Sequence, residues 1–179
     1  MSAPAIAAAE PLIVVEGLVK RYGAYTAVDG LNLTAFRGEV LGYLGRNGAG
    51  KTTTIRCLTG MLKPDAGRAL VAGIDPATEP MRVKALIGYV PESGALYDWL
   101  SAAEYLQLIG RLHGLDDAVI ARRSGEMLSA LGLEEKAQER MDSYSKGMRK
   151  KVAIAAASSR RIIVLSPGVC KRAIKPKVS

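Results

Sequence analysis

A glycine-rich segment with one lysine and paired threonines contains the residue types best suited to chemistry in this sequence. It reads Gly45, Arg46, Asn47, Gly48, Ala49, Gly50, Lys51, Thr52 and Thr53. The spacing G-x-x-x-x-G-K-T is typical of a phosphate-binding loop that joins a strand to a helix. The glycines let successive backbone N–H groups turn inward at the helix N-terminus, where they bind anions.

The chemistry predicted for this loop is the binding of ATP together with Mg²⁺. We expect Lys51 to neutralise the β- and γ-phosphates and the Thr52 hydroxyl to hold the metal ion. All nine residues are therefore predicted to contact the nucleotide. An ordinary glycine-rich turn is the alternative, but it leaves the lysine and the two threonines unexplained.

Positioning this loop requires a strand before it and a helix after it, and the pattern predicts both. An apolar run over residues 40–44 predicts a buried strand, and residues 51–58 predict a helix that ends at Gly60. Further strands are expected over residues 12–16, 31–35, 68–72 and 87–90, with a short helix over residues 80–86. These elements indicate an α/β fold.

Beyond Pro91 the pattern becomes helical. Ser101 and Glu104 have the spacing of a capping box, in which a serine and a glutamate three residues later cap a helix start. An apolar helix face follows and ends near Gly114, and further helices are expected over residues 118–131 and 146–157. His113, the single histidine, lies at a helix end, where we expect a capping or surface role. A helical subdomain inserted into the α/β core is therefore predicted.

Length and composition favour one domain and exclude several classes of protein. The chain has 179 residues, of which 49% are hydrophobic, enough for a real core. No apolar run approaches the ~20 residues of a membrane helix, and the Ala-rich N-terminus does not resemble a secretion signal. The two cysteines of the chain have no spacing typical of a metal site or a disulfide framework, and Cys57 is expected to be a buried structural thiol. The expected compartment is cytoplasmic.

The basic charge is confined to the end of the chain. The net charge is +8, yet all of the excess follows Asp142, since residues 143–179 contain ten Lys and Arg and no acidic residue. Such a tail attracts polyanions without sequence specificity. Base-reading motifs and stacking aromatic residues in a basic stripe are absent, so no specific nucleic-acid partner is expected.

Three further motifs make the chain, over about residues 12–157, resemble the ATP-binding subunit of an ABC transporter. Tyr22, in Lys-Arg-Tyr-Gly, matches the aromatic residue that stacks on adenine. Glu92, in Val-Pro-Glu, matches the Q-loop, which contacts Mg²⁺ and the attacking water, although glutamine is usual there. The run Tyr-Ser-Lys-Gly-Met-Arg resembles the signature motif and contributes Ser145, Lys146, Gly147 and Met148.

The resemblance implies a P-loop NTPase core with an N-terminal antiparallel β subdomain and an inserted helical subdomain. It also implies two partners, a membrane permease and a second ATP-binding subunit, in the simplest case a homodimer. The signature motif would face the γ-phosphate that the opposite subunit holds. The expected location is peripheral, at the inner face of the cell membrane. Residues around 95–115 resemble the exporter branch of the family (often called ABC-2-like).

The resemblance divides the chain into three parts. We expect a flexible tail over residues 1–10, an ATP-binding domain over 11–157 with its helical subdomain at about 93–142, and a divergent basic tail over 158–179. Within the last part the family pattern fails. Residues 162–165 supply an apolar strand about two residues early, and Ser166 and Pro167 follow where the family has Asp and Glu.

Those two carboxylates hold Mg²⁺ and position the attacking water in the family. No acidic residue follows Asp142, and the expected histidine switch is missing, so no residue is assigned to catalysis. We expect the core to be incomplete at its C-terminal end, through a disrupted reading frame or a truncated gene, and the isolated chain to be unstable without a partner. Two functions stay open: a subunit that couples ATP binding and hydrolysis to export, and a nucleotide-binding fragment or degenerate subunit that does not hydrolyse ATP.

Overall fold

The computed structural model describes residues 10–39, 41–43, 45–46, 48–90, 96–158 and 163–165. Its strands are β1 (Pro11–Tyr22), β2 (Tyr25–Phe36), β3 (Ala66–Val71), β4 (Ile87–Tyr89) and β5 (Ile163–Leu165). Its helices are α1 (Lys51–Leu58), α2 (Pro80–Leu86), α3 (Ala102–Leu112), α4 (Asp117–Ala130) and α5 (Lys146–Ser158), with a 3-10 turn at Met141–Ser143. The described residues up to Ala85 form one compact unit, and those from Leu86 onward form another.

The first unit is built on an antiparallel sheet with the order β2-β1-β3. Strands β1 and β2 form a long hairpin, in which Tyr22 pairs with Tyr25 across a two-residue turn. The inward side chains of β1 include Ile13, Val15 and Leu18, all buried. Both pairings of β1 shift register beyond Val15, between Val15 and Leu18 against β2 and between Glu16 and Val19 against β3. Such irregularities interrupt the alternation of inward and outward side chains along the strand.

Helix α1 packs on this sheet through contacts with β2 and β3. Its buried residues include Ile55, Cys57 and Leu58, which cover the apolar side chains of the sheet. Cys57 is only 2% exposed, and burial raises the pKa of its thiol, so the prediction that this thiol is buried is confirmed. This packing fixes the start of α1, which follows the phosphate loop directly.

The second unit combines a short parallel strand pair with a helical cluster. Strand β4 pairs with β5 in parallel, with Gly88 opposite Val164. The helices share a core of nine buried residues: Ala102, Leu106, Leu128, Leu133, Met141, Tyr144, Val152, Ala155 and Ala156. The capping box at the start of α3 is confirmed, since the Glu104 amide donates to Ser101 Oγ at 3.2 Å and Glu104 Oε2 accepts from the Ser101 amide at 2.8 Å.

One element prediction is wrong for the residues that the structure describes. Leu41, Gly42 and Tyr43, which belong to the predicted strand over residues 40–44, lie in no strand. A strand requires hydrogen bonds to a neighbour, and none of the described strand pairings includes these three residues. The burial expected for this apolar run is found at Gly42, whereas Leu41 and Tyr43 are half-buried.

Other predictions fall partly outside the described residues. Residues 40 and 44, the first nine residues of the chain and residues 166–179 are not described, so the two predicted tails are largely untested. The antiparallel sheet, the α/β core elements and the helical cluster confirm the predicted fold class. The domain boundaries at residues 11, 93, 142 and 157 stay predictions.

Candidate functional site

The phosphate loop takes a backbone conformation that only glycine adopts readily. Gly48 has a φ of 85° and Gly50 a φ of 76°, both in the left-handed region. Gly50 is the residue that immediately precedes α1. A Cβ atom at Gly50 would lie 2.2 Å from the Ala27 carbonyl oxygen and 2.9 Å from Val28 Cγ2. The loop thus lies directly against β2, and the glycine is required for both its conformation and its size.

The start of α1 presents free hydrogen-bond donors. Within the part of the chain that the structure describes, the backbone N–H groups of Lys51, Thr52 and Thr53 have no acceptor, and neither do the hydroxyls of the two threonines. Thr54 is the first residue of the turn to close a bond, through its amide at 2.8 Å and its hydroxyl at 3.0 Å from the Gly50 carbonyl oxygen. Free donors at the positive end of a helix form a site for an anion.

Lys51 brings a positive charge to the same place. Its Nζ donates to the carbonyl oxygens of Gly45 at 2.5 Å and Arg46 at 2.8 Å, so the ammonium group curls back over the loop. The Ala49 amide donates to the Arg46 carbonyl oxygen at 3.1 Å and tightens the same turn. A phosphate oxygen is a stronger acceptor for an ammonium group than a neutral carbonyl. The ammonium group is therefore positioned to exchange these carbonyls for phosphate.

Tyr22 lies at the end of the hairpin that contacts this loop. It is 45% exposed and sits opposite Tyr25, so the two side chains share one face of the sheet. The Tyr25 hydroxyl donates to the Gly48 carbonyl oxygen at 3.0 Å. The structure therefore brings the predicted base-stacking residue to the same region as the phosphate loop.

An ion pair between Lys20 and the exposed Asp65 holds the strand end that carries Tyr22. Asp65 accepts hydrogen bonds from the Arg21 amide at 2.6 Å and from Lys20 Nζ at 3.0 Å. The Arg21 amide and the Lys20 ammonium lower the pKa of the Asp65 carboxyl, because both stabilise its ionised form. This anchor fixes β1 immediately before its last residue.

The signature-like segment begins α5 and forms a second, separate group of donors. Ser145 Oγ accepts from the Met148 amide at 3.2 Å, so Ser145 caps the helix. The amides of Lys146 and Gly147 have no acceptor among the described residues, and both residues are exposed. Among the described residues, a Cβ atom at Gly147 would contact only Ser145 Oγ, at 3.8 Å, so in this part of the structure the helix end is open.

Two contacts fix the start of α5. Tyr144 is buried in the helical cluster and its hydroxyl donates to the Lys136 carbonyl oxygen. Arg149 donates to Asp98 Oδ2 at 3.3 Å. Neither role follows from the motif itself, although a tyrosine directly before the capping serine is the kind of residue that anchors a helix start.

The predicted metal site is only partly described. Glu92 and Asn47, both predicted to bind the nucleotide or its metal, lie outside the described residues. Within the described ranges no group of three or more His, Cys, Asp or Glu side chains could hold a metal ion. Thr52 therefore supplies the one predicted metal ligand that the structure places, and its free hydroxyl is suited to Mg²⁺ that is already held by phosphate oxygens.

Sequence reasoning missed two residues that shape this site. Tyr25 contacts Gly48, and Thr54 closes the first turn of α1 on Gly50. The signal for Tyr25 was present, because Tyr22, Gly23, Ala24 and Tyr25 have the composition of a two-residue hairpin turn with facing tyrosines. Thr54 gave no such signal, since a third threonine is not part of the loop pattern.

A strand hairpin, a glycine loop, a donor-rich helix start and a lysine that folds over it define a phosphate-binding domain of the P-loop class. The sequence pattern of one family, described as ABC transporter, matches residues 28–165. This match covers well over half of the chain, and the chain belongs to that family.

Curated relatives agree with this assignment. The chain is 42% identical over 149 residues to daunorubicin resistance ATP-binding protein DrrA3 of Streptomyces coeruleorubidus, covering 83% of this chain and 47% of that protein. It is 42% identical over 145 residues to Nod factor export ATP-binding protein I of Ralstonia nicotianae, covering 81% of this chain and 45% of that protein. The chain thus spans about half the length of the curated relatives it matches.

Solved structures show the same fold. An ATP-binding subunit of an ABC transporter superposes with a TM-score of 0.70 at 33% identity, covering 82% of this chain and 61% of the other. The cbiO1 protein of Clostridium perfringens, part of the ABC transporter complex cbiONQ, superposes with a TM-score of 0.78 at 28% identity, covering 87% and 64%. Among the described residues, no helix has the length and apolar character needed to cross a bilayer.

Proposed function

We propose that this chain is an ATP-binding subunit that couples ATP binding and hydrolysis to export through a separate membrane permease. The observation that carries the proposal is the cluster of amides at the start of α1 that have no acceptor among the described residues, together with the ammonium group of Lys51. Membership of the ABC transporter family implies a nucleotide as the anion. The relatives named for drug resistance and for Nod factor export support the exporter branch.

The triphosphate occupies the loop in this proposal. Its oxygens accept from the amides at the start of α1, and the Lys51 ammonium leaves the carbonyls of Gly45 and Arg46 to bind the β- and γ-phosphates. Tyr22 stacks on the adenine ring, as its exposure at the hairpin end permits. The Thr52 hydroxyl would hold Mg²⁺, with Glu92 as the second predicted ligand, and the ion would supply positive charge to the triphosphate.

The segment Ser145, Lys146, Gly147 and Met148 serves a second subunit in this proposal. Its free amides at the start of α5 would bind the γ-phosphate of a nucleotide held by another copy of the domain. Two such copies would form a homodimer with two shared nucleotides. The support is the start of α5, which Ser145 caps and where exposed backbone N–H groups lie at a helix N-terminus, as they do at the start of α1.

The membrane partner and the location follow from the family. The permease would contain the membrane-spanning part, and Glu92 in the Q-loop would relay closure of the nucleotide site to it. The chain would then be peripheral, at the cytoplasmic face of the membrane. The solved relative cbiO1 is described as part of a transporter complex, which supports a permease partner.

A second candidate function, nucleotide binding without hydrolysis, is favoured by the residues after β5. Strand β5 pairs in parallel with β4, as expected of the core strand after the signature helix, yet Ser166 and Pro167 follow Leu165 in the sequence. A serine and a proline cannot replace carboxylates in orienting Mg²⁺ and water. Phosphate release at background level, from protein that binds MgATP, would favour this second function over the first.

The test of nucleotide binding uses one charge-removing variant and one matched control. Lys51→Ala is expected to weaken MgATP binding by at least tenfold in calorimetry, because an ammonium–phosphate contact is charge-assisted. Lys84→Ala removes the same charge from the exposed face of α2 and should leave the affinity unchanged. Equal losses in both variants, or no binding by folded wild-type protein, would contradict the proposal.

A further inference from the structure

We propose that Tyr25 is a positioning residue for nucleotide binding. Its hydrogen bond to the Gly48 carbonyl oxygen keeps the phosphate loop in the conformation that binds the ligand. This inference rests on the proposed function, since it assumes that the loop binds phosphate. It assigns a role to a residue outside the G-x-x-x-x-G-K-T pattern. Tyr25 also links the end of the hairpin, where the base is expected to stack, to the loop that is proposed to bind the phosphates.

The contact is a single hydrogen bond from an exposed side chain. The Tyr25 hydroxyl donates to the Gly48 carbonyl oxygen at 3.0 Å, and 57% of the residue is exposed. Burial therefore does not hold the ring over the loop. Within the described part of the chain the hydroxyl has this one hydrogen-bond partner.

The bond acts at one of the glycines of the loop. Gly48 has a φ of 85°, and a glycine moves more freely between backbone conformations than any other residue. The peptide group between Gly48 and Ala49 is planar, so its carbonyl and its N–H group turn together. The carbonyl is held by Tyr25 and the Ala49 amide by the Arg46 carbonyl oxygen at 3.1 Å, which fixes this peptide plane at both ends.

Strand β2 also supports the loop two residues further on. Gly50 lies so close to Ala27 that a Cβ atom there would sit 2.2 Å from the Ala27 carbonyl oxygen. The hydroxyl contact at Gly48 and this backbone contact at Gly50 are on either side of Ala49. The start of β2 therefore braces the segment that leads into the free amides of α1.

Bracing the free loop should raise its affinity for phosphate. A loop that is already ordered loses less conformational entropy when a ligand binds. The effect concerns the phosphates and not the base, because Tyr25 touches the loop backbone. Tyr22, its partner across the hairpin turn, is expected to act on the base alone.

The experiment compares two tyrosines with two probes. Calorimetry with MgATP and with magnesium tripolyphosphate, which has no base, is applied to wild-type protein, Tyr25→Phe and Tyr97→Phe. Each substitution removes one hydroxyl and keeps the ring. Tyr25→Phe should raise the Kd of both probes by the same factor, about three- to tenfold, the effect of one hydrogen bond. Tyr97→Phe, at a tyrosine that is 45% exposed and lies outside the nucleotide site, should leave both values unchanged.

Two further measurements separate positioning from a general loss of structure. The urea midpoint of Tyr25→Phe should match that of the wild type, since the removed group is exposed. Hydrogen exchange at the Ala49 amide should be faster in Tyr25→Phe than in wild-type protein before any ligand is added. A Tyr22→Ala variant should weaken MgATP binding but leave tripolyphosphate binding intact.

Three outcomes would overturn the inference. Unchanged Kd values in Tyr25→Phe, with wild-type protein binding both probes, would overturn it alone and leave the proposed function standing. A loss confined to MgATP would overturn it as well, because Tyr25 would then act on the base. Folded wild-type protein that binds neither probe would overturn the proposed function and this inference together.

Discussion

Gly50 joins the phosphate loop to α1 in a left-handed conformation and in direct contact with β2. Two constraints meet at this residue, since its φ of 76° strains any side chain and its neighbours leave no room for a Cβ atom. The free amides of α1 begin at the next residue. The geometry of the anion site therefore depends mainly on Gly50, and its charge depends on Lys51.

Gly50→Ala is expected to disrupt the loop and to destabilise the domain. Backbone strain together with a contact of 2.2 Å to the Ala27 carbonyl oxygen should cost about 2–3 kcal/mol of unfolding free energy. The affinity for MgATP should fall by tenfold or more. Urea denaturation and calorimetry measure the two effects.

The matched control is Gly30→Ala in β2. Gly30 has a φ of 61°, but no atom of the described residues lies within 4 Å of an added Cβ, so this variant has the strain without the clash. It should cost about 1 kcal/mol and keep full MgATP affinity. Equal losses of unfolding free energy and of MgATP affinity in the two variants would show that the close contact between the loop and β2 does not contribute to either.

Asp65 should make the stability of the first unit depend on acid pH. Its folded-state pKa is lowered by the Arg21 amide and Lys20, so ionised Asp65 stabilises the fold above its ordinary pKa of about 4. This contribution is lost as the pH falls through the lowered value. Asp65→Asn should therefore be less stable than wild type at pH 7, and the difference should shrink toward pH 3 in urea denaturation.

Asp29→Asn is the comparison for this pH effect. The Asp29 carboxylate makes no hydrogen bond or ion pair with the described residues. Its substitution should leave the unfolding free energy nearly unchanged at both pH values. A stability difference between wild type and Asp65→Asn that stayed constant from pH 7 to pH 3 would refute the assigned cause.

At the scale of elements, helices were easier to predict than strands. The bounds of α1 and α2 match the predicted ranges, because Gly50, Gly60 and Pro80 mark them in the sequence. The hairpin strands are longer than predicted: β1 extends to Tyr22 and β2 begins at Tyr25. Register shifts along β1 interrupt the alternation on which strand prediction depends.

The capping box of α3 offers a prediction at this scale. Ser101→Ala removes the acceptor of the Glu104 amide and should lower the unfolding free energy by about 1 kcal/mol. Ser129→Ala, at an exposed position inside α4, is the control and should be neutral or slightly stabilising, because alanine has the higher helix propensity. Urea denaturation compares the two, and an equal cost in both would argue against the cap.

At the scale of the whole molecule, charge is distributed very unevenly. All of the net positive charge follows Asp142, while the site residues depend on local donors and on Lys51. Polyanion binding through such a tail should be nonspecific and sensitive to salt, since it releases counterions. Nucleotide binding and polyanion binding should therefore be separable properties of the chain.

A variant with Lys171, Arg172, Lys175 and Lys177 replaced by glutamine tests this separation. Its affinity for duplex DNA should fall, and the slope of log K against log salt should decrease by up to about 4. MgATP affinity should stay unchanged. DNA binding that survived the substitutions with its slope intact would indicate a nucleic-acid surface elsewhere on the molecule.

The phosphate loop could be predicted from sequence because its pattern encodes its own backbone geometry. Its support by β2 could not, since the contacts at Gly48 and Gly50 join residues more than twenty positions apart and Tyr25 belongs to no motif. The predicted strand over residues 40–44 failed for a related reason. An apolar run specifies burial, but its pairing depends on distant strands.

Amide chemical shifts of the folded protein during titration with MgATP test the central claim most directly. We expect saturable binding of one nucleotide per chain, with the largest shifts at the amides of Gly48, Gly50 and the first three residues of α1. Lys51→Ala should weaken this response and Lys84→Ala should not. Folded protein whose α1 amides did not respond to MgATP would contradict the claim that these donors hold the triphosphate.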